Sequence, residues 1–210
     1  MNQHSNIYQP AGGPVTDLPI PPDIEPEQTL GTAEWGMLSF LLSEVAFFCT
    51  LIVAYVLFKG RDTIGPTPGE VLSLKLVLVT TGMLLASSFT VHLATHSIEH
   101  GRSAQFRVWW AATIALGVGF LAGTAYEWYG LIVHDHLTIS RNLFGTTFYT
   151  LVGFHGLHVS MGVLAMTIVL VLALRNRIGP EHALAPRLIS WYWHFVDAVW
   201  LVVFVVVYLS

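Results

Sequence analysis

Five stretches of the chain are apolar for long enough to cross a membrane as helices: residues 36–58, 71–94, 108–133, 143–174 and 188–209. A hydrocarbon core about 30 Å thick needs about 20 such residues. None of the five alternates apolar and polar positions as a lipid-facing barrel strand would. The pattern predicts an all-α fold, a polytopic membrane bundle of five transmembrane helices. Gly60, Gly65, Pro66, Pro68 and Gly69 break the chain between the first two spans, and Gly179, Pro180 and Pro186 between the last two. Residues 1–33 hold six of the ten prolines, several acids and no Lys or Arg. They read as an extended surface tail, without the basic and hydrophobic stretches of a signal peptide. The membrane domain is expected over residues 34–210.

Composition agrees. Hydrophobic residues make up 54% of the chain and charged ones 10%, against about 25% charged in ordinary soluble domains. That excludes a soluble enzyme and a disordered chain. A net charge of −4, with nine Lys and Arg spread thinly, leaves no basic patch for nucleic acid. The single cysteine, Cys49, forms neither an internal disulfide nor a thiolate metal site. With the N-terminus cytoplasmic, the inner loops carry Arg102, Arg107, Arg175, Arg177 and Arg187, and the outer side Lys59, Arg61, Lys75 and Arg141. Five against four favours N-terminus in and C-terminus out.

Small residues recur within the spans, at Gly119 and Gly123 and at Gly153 and Gly156. Such spacing lets helix backbones approach closely. Trp109, Trp110, Trp128, Trp191 and Trp193 lie near span ends, where interfacial anchoring is the expected role.

Ionisable residues inside the spans carry the chemistry. A central carboxylate costs about 2.5–3.5 kcal/mol even on lenient insertion scales, and three acids are placed there: Glu44, Glu127 and Asp197. With them stand His92 and His96, His155 and His158, and His194. Helix rise puts Glu44 and Asp197 at similar depths, roughly 12–14 Å into their apolar runs, with His158 near the middle of its own. Glu44 is therefore expected to face the bundle interior and to hydrogen-bond to His158, or to share a proton with Asp197. Such a carboxyl either exchanges protons or acts as neutral glue between helices. His155 and His158 lie close to one helix face, as do His194 and Asp197. One such pair is a poor metal signal without a second ligand set, so interhelical hydrogen bonding is expected for these histidines. The His134-Asp135-His136 cluster reads as a solvated loop.

Two segments are distinctive: Phe144 to Val159, FGTTFYTLVGFHGLHV, and Trp191 to Trp200, WYWHFVDAVW. Together they closely resemble subunit III of the haem–copper cytochrome c oxidases. Ser43-Glu44-Val45 with Phe47-Phe48 looks like that family's helix bearing a membrane-buried, carbodiimide-reactive glutamate, and AYEWYGL (125–131) and LTIS (137–140) are similar as well. The resemblance covers about residues 34–210. It carries the buried acid onto Glu44, the motif histidines onto His155 and His158, the last-helix pair onto His194 and Asp197, and a further acid onto Glu127. Many members have two adjacent histidines before a Ser, whereas this chain has Thr95-His96-Ser97. The mitochondrial-type subunit has seven helices; this chain begins at the equivalent of the third, like shorter bacterial members.

The resemblance implies an accessory, metal-free subunit III of an aerobic respiratory oxidase in the bacterial cytoplasmic membrane. Haems and coppers are then expected in subunits I and II, and none in this chain. It implies direct packing on subunit I, neighbours in subunit II and a small subunit IV, membership of a larger respiratory supercomplex, and bound phospholipid. It also implies support of proton uptake and of stability during turnover. Arg175 and Arg177 are the residues expected to hold lipid phosphates. Three other readings stay open: the equivalent subunit of a quinol oxidase or nitric oxide reductase complex; a haem-carrying anchor using His155, His158, His92 or His96; and an independent proton-coupled transporter, which expects broken helices and an internal repeat.

Overall fold

The computed structural model describes residues 30–59, 74–133 and 143–209. Most of the expected tail, the Gly/Pro-rich break at 60–69 and the His134-Asp135-His136 cluster lie outside them. The described residues form five long helices, and no strand occurs among them. They are α1 (Thr32–Phe58), α2 (Leu74–Glu99), α3 (Ser103–Val133), α4 (Leu143–Leu174) and α5 (Leu184–Phe204), the last continuing as a π-helical segment, Val205–Leu209. All five are long and apolar enough to cross a membrane. α3 and α4, at 31 and 32 residues, are about 47 Å long and overshoot the hydrocarbon core.

Helix ends differ from the apolar runs because hydrogen bonding continues into polar residues. α1 begins at Thr32, α2 extends to Glu99, and α3 starts at Ser103. Local chemistry sets the stops. Gly101, at φ 72°, ends α2 in a Schellman turn, with Arg102 N–H donating to Ser97 O (2.9 Å) and Gly101 N–H to Ile98 O (3.0 Å). Asn176, at φ 52°, ends α4 in the same way through Arg177 N–H to Leu172 O (2.9 Å). At the start of α1, Glu34 accepts from the Gly31 N–H at 2.7 Å, satisfying one of the free donors of the first turn.

α5 is the organising helix. Ser190, Trp193, Val196, Asp197, Trp200, Val203 and Phe204 bury one of its faces, at the three- and four-residue spacing of an amphipathic helix. It packs on α1, α2 and α4, while α2 and α3 form the most extensive pair. A Cβ on Gly119 or Gly123 would collide with Met83 or Thr80 of α2, which accounts for the close approach of that pair. A Cβ on Gly153 would lie 3.3 Å from Trp128, whereas one on Gly156 would meet nothing within 4 Å.

Two tryptophans depart from the anchoring role. Trp110 and Trp193 are fully buried. The reason is that each indole N–H finds an acceptor inside the bundle: Met166 O for Trp110 at 2.9 Å, and Ser87 Oγ for Trp193 at 2.8 Å. Space for Trp193 comes from Gly117 and Gly162, where an added Cβ would lie 2.8 Å from the ring.

Candidate functional site: a buried acid–imidazole network

Polar contacts tie the helices together in pairs. Thr90 of α2 meets Thr113 of α3 at 2.8 Å, and Trp200 of α5 donates to Thr81 of α2 at 2.9 Å. At one end, Arg187 of α5 pairs with Glu34 of α1. In hydrocarbon these are the contacts that give helix association its specificity. The ionisable residues sit within this framework.

Glu44 projects from α1 toward α4, where its Oε2 lies 3.0 Å from His158 Nε2. Their side chains are 18% and 12% exposed, so both are largely withdrawn from the surroundings. Phe48 stands edge-on to the imidazole at 4.9 Å, and Phe47 packs on Phe154 at 5.2 Å. The other ring nitrogen, His158 Nδ1, donates to the carbonyl of Phe154 at 2.7 Å. A carbonyl only accepts, so Nδ1 carries the hydrogen. In the neutral ring Nε2 then has a lone pair, and the contact with Glu44 requires one proton between the two atoms. Either a neutral carboxyl donates to imidazole, or imidazolium donates to carboxylate. The pair is thus a one-proton link across the α1–α4 contact. Tyr192 of α5 donates to the His158 carbonyl at 3.0 Å, fixing α4 from the other side.

Asp197 does not share a proton with Glu44. Its Oδ2 accepts from Ser88 of α2, whose Oγ in turn accepts from His194 Nδ1 at 3.1 Å. Ser88 uses its one hydrogen toward Asp197 and its lone pair toward His194, and this joins α2 to α5. Glu127 accepts from the Tyr208 hydroxyl at 2.9 Å, linking α3 to the end of the last helix.

His155 departs from the expected interhelical hydrogen bond. It is fully buried, and neither ring nitrogen has a hydrogen-bond partner among the described residues. Instead it stacks on Trp200 (4.8 Å between ring centres, 30° between planes) and meets Phe120 edge-on at 5.9 Å. It serves as an aromatic ring. Arg175 and Arg177 are exposed where α4 ends, apart from this network. His92 and His96 lie on the outer side of α2, not in the interior. No cluster of three or more His, Cys, Asp or Glu with the arrangement of a metal site occurs among the described residues.

Sequence reasoning missed Ser88, Tyr192, Tyr208 and the Glu34–Arg187 pair. Only the last left a signal, an acid near the start of the first span and a base near the start of the fifth.

Comparison with known proteins places the chain in a family. Residues 27–210 match the family described as Cytochrome c oxidase subunit III. A relative from Nocardia farcinica, "Probable cytochrome c oxidase subunit 3", is 38% identical over 175 residues, 82% of this chain and 85% of its own. One of the same name from Mycobacterium leprae is 37% identical over 182 residues, 86% of each. "Quinol oxidase subunit 3" of Bacillus subtilis is 33% identical over 174 residues, 83% of this chain and 85% of its own. With five membrane-spanning helices and a match over most of its length, the chain is an integral membrane protein that belongs to the subunit III family of the haem–copper oxidases.

Proposed function

We propose that the chain is the accessory subunit III of an aerobic respiratory oxidase that takes electrons from cytochrome c. It holds no haem or copper of its own; those belong to subunits I and II. It packs directly on subunit I in the bacterial cytoplasmic membrane, with its N-terminus inside, and supports proton uptake and endurance during turnover.

The observation that carries this reading is the Glu44–His158 link. A one-proton bridge among phenylalanines, about 18 Å along α1 from Thr32, keeps a carboxyl inside a helix contact without leaving a bare charge. Its proton can sit on either atom, so the pair relaxes when charge moves in a neighbouring subunit. The Ser88–His194–Asp197 link and the Glu127–Tyr208 contact hold the remaining interior acids in place. Arg175 and Arg177, exposed at the end of α4, are the residues proposed to hold phospholipid phosphates.

The experiment is oxygen consumption by the assembled oxidase carrying Glu44→Gln. The amide still donates to His158 Nε2 but exchanges no proton with it. The reading expects normal assembly, a normal initial rate and earlier inactivation during sustained turnover; unchanged endurance contradicts it. A second reading, subunit III of a quinol oxidase, is favoured by the Bacillus subtilis relative of that name. Oxygen reduction driven by quinol but not by reduced cytochrome c selects it.

A further inference from the structure

Tyr192 touches both helices that carry the Glu44–His158 link. Its hydroxyl donates to the backbone carbonyl of His158 at 3.0 Å, and its ring stacks on Phe40 of α1, with 6.2 Å between centres and 28° between planes. Phe40 stands one turn before Glu44, on the same side of that helix. The His158 carbonyl lies four residues before Gly162 and so already accepts the Gly162 N–H within α4. A carbonyl has two lone pairs and takes both donors. Gly162 also admits the ring: a Cβ there would lie 3.3 Å from Tyr192 Cε1, closer than ordinary van der Waals contact.

The turn of α5 that bears Tyr192 is itself fixed from the far side. Trp193 donates to Ser87 of α2 at 2.8 Å, and His194 Nδ1 meets Ser88 of α2 at 3.1 Å. Three consecutive residues thus tie α5 to α4 and to α2. The first of them reaches a backbone atom of the residue whose ring bonds the acid. A bond to the backbone fixes the rotation of α4 at that point. His155, three residues away, points about 60° from His158, so a modest rotation of α4 would lengthen the 3.0 Å contact with Glu44.

We propose that Tyr192 is a positioning residue for the acid–imidazole pair. Through Phe40 on one helix and the His158 carbonyl on the other, it sets the gap between α1 and α4 at the depth of the pair. It thereby holds Glu44 and His158 at the separation where one proton serves both. The proposal rests on the reading of that pair given above.

Tyr192→Phe, in the assembled oxidase, keeps the ring against Phe40 and removes only the hydroxyl. The infrared carboxyl band of Glu44, identified as the band that Glu44→Gln removes, is expected to change frequency in Tyr192→Phe. Tyr208→Phe, which removes the phenol at Glu127 instead, is expected to leave that band in place. The rate of inactivation during turnover should rise by the same factor in Tyr192→Phe as in Glu44→Gln. The double variant should be no worse than either single one, because both disable the same proton exchange. An unmoved band in Tyr192→Phe, an equal shift in Tyr208→Phe, or inactivation factors that multiply in the double variant overturn the positioning role. If Glu44→Gln alone leaves endurance unchanged, the support of turnover proposed above fails, and the band by itself decides the role of Tyr192.

Discussion

Glu44 Oε2 and His158 Nε2 meet at 3.0 Å across the α1–α4 contact, while the opposite ring nitrogen of His158 is committed to the Phe154 carbonyl. Among the described residues α1 packs mainly on α4 and α5, and this link is a polar tie that holds the first helix to the bundle. A double-mutant cycle measures its worth. Glu44→Leu and His158→Leu, singly and together, are expected to show a coupling of about 0.6–1.7 kcal/mol in detergent unfolding, the range for interhelical hydrogen bonds in membranes. Additive losses would mean that the two residues do not interact.

His155 is expected to behave in the opposite way. A buried ring whose nitrogens have no partner among the described residues, with aromatic neighbours on two sides, loses no hydrogen bond there when made apolar. His155→Phe should leave the unfolding temperature unchanged or raise it. A large fall would show that an imidazole nitrogen is in use.

Two glycines of α4 give a contrast on one helix. At Gly162 a Cβ would meet Trp193 at 2.8 Å, whereas at Gly156 it would meet nothing within 4 Å. Gly162→Ala is expected to cost about 1–3 kcal/mol through overpacking, and Gly156→Ala to change stability by less than about 0.5 kcal/mol. Equal effects, read by thermal unfolding, would contradict the placement of Trp193.

The helices were legible because apolar runs of this length have few alternatives. The Glu44–His158 meeting was legible because helix rise alone gives both residues similar depth. Which of His155 and His158 would reach α1 was not. Residues three apart point about 60° from each other, so the rotation of α4, set by packing around Trp200 and Trp193, decides which ring is bonded and which is stacked. Trp110 and Trp193 misled for a related reason: position along a helix marks depth, whereas burial depends on the face. Ser87 and Ser88 are adjacent hydroxyls in one apolar run, and only the position of α5 gives the first to Trp193 and the second to Asp197.

The Glu34–Arg187 pair joins residues 153 positions apart. Either single reversal, Glu34→Arg or Arg187→Glu, places like charges together and should destabilise the α1–α5 contact by about 1 kcal/mol or more. The double exchange is expected to recover part of that loss. Recovery should stop short of complete, because Glu34 also caps Gly31 and arginine cannot accept that N–H. No recovery would show that the pairing is incidental.

The most direct test of the account is an affinity purification of this chain from its native membranes in mild detergent, followed by an absorbance spectrum and a subunit inventory. The account predicts a coloured, haem-containing complex that reduces oxygen with reduced cytochrome c and contains the haem-bearing and copper-bearing subunits alongside this one. A colourless chain recovered without oxidase subunits, or haem bound to this chain by its own histidines, would contradict it.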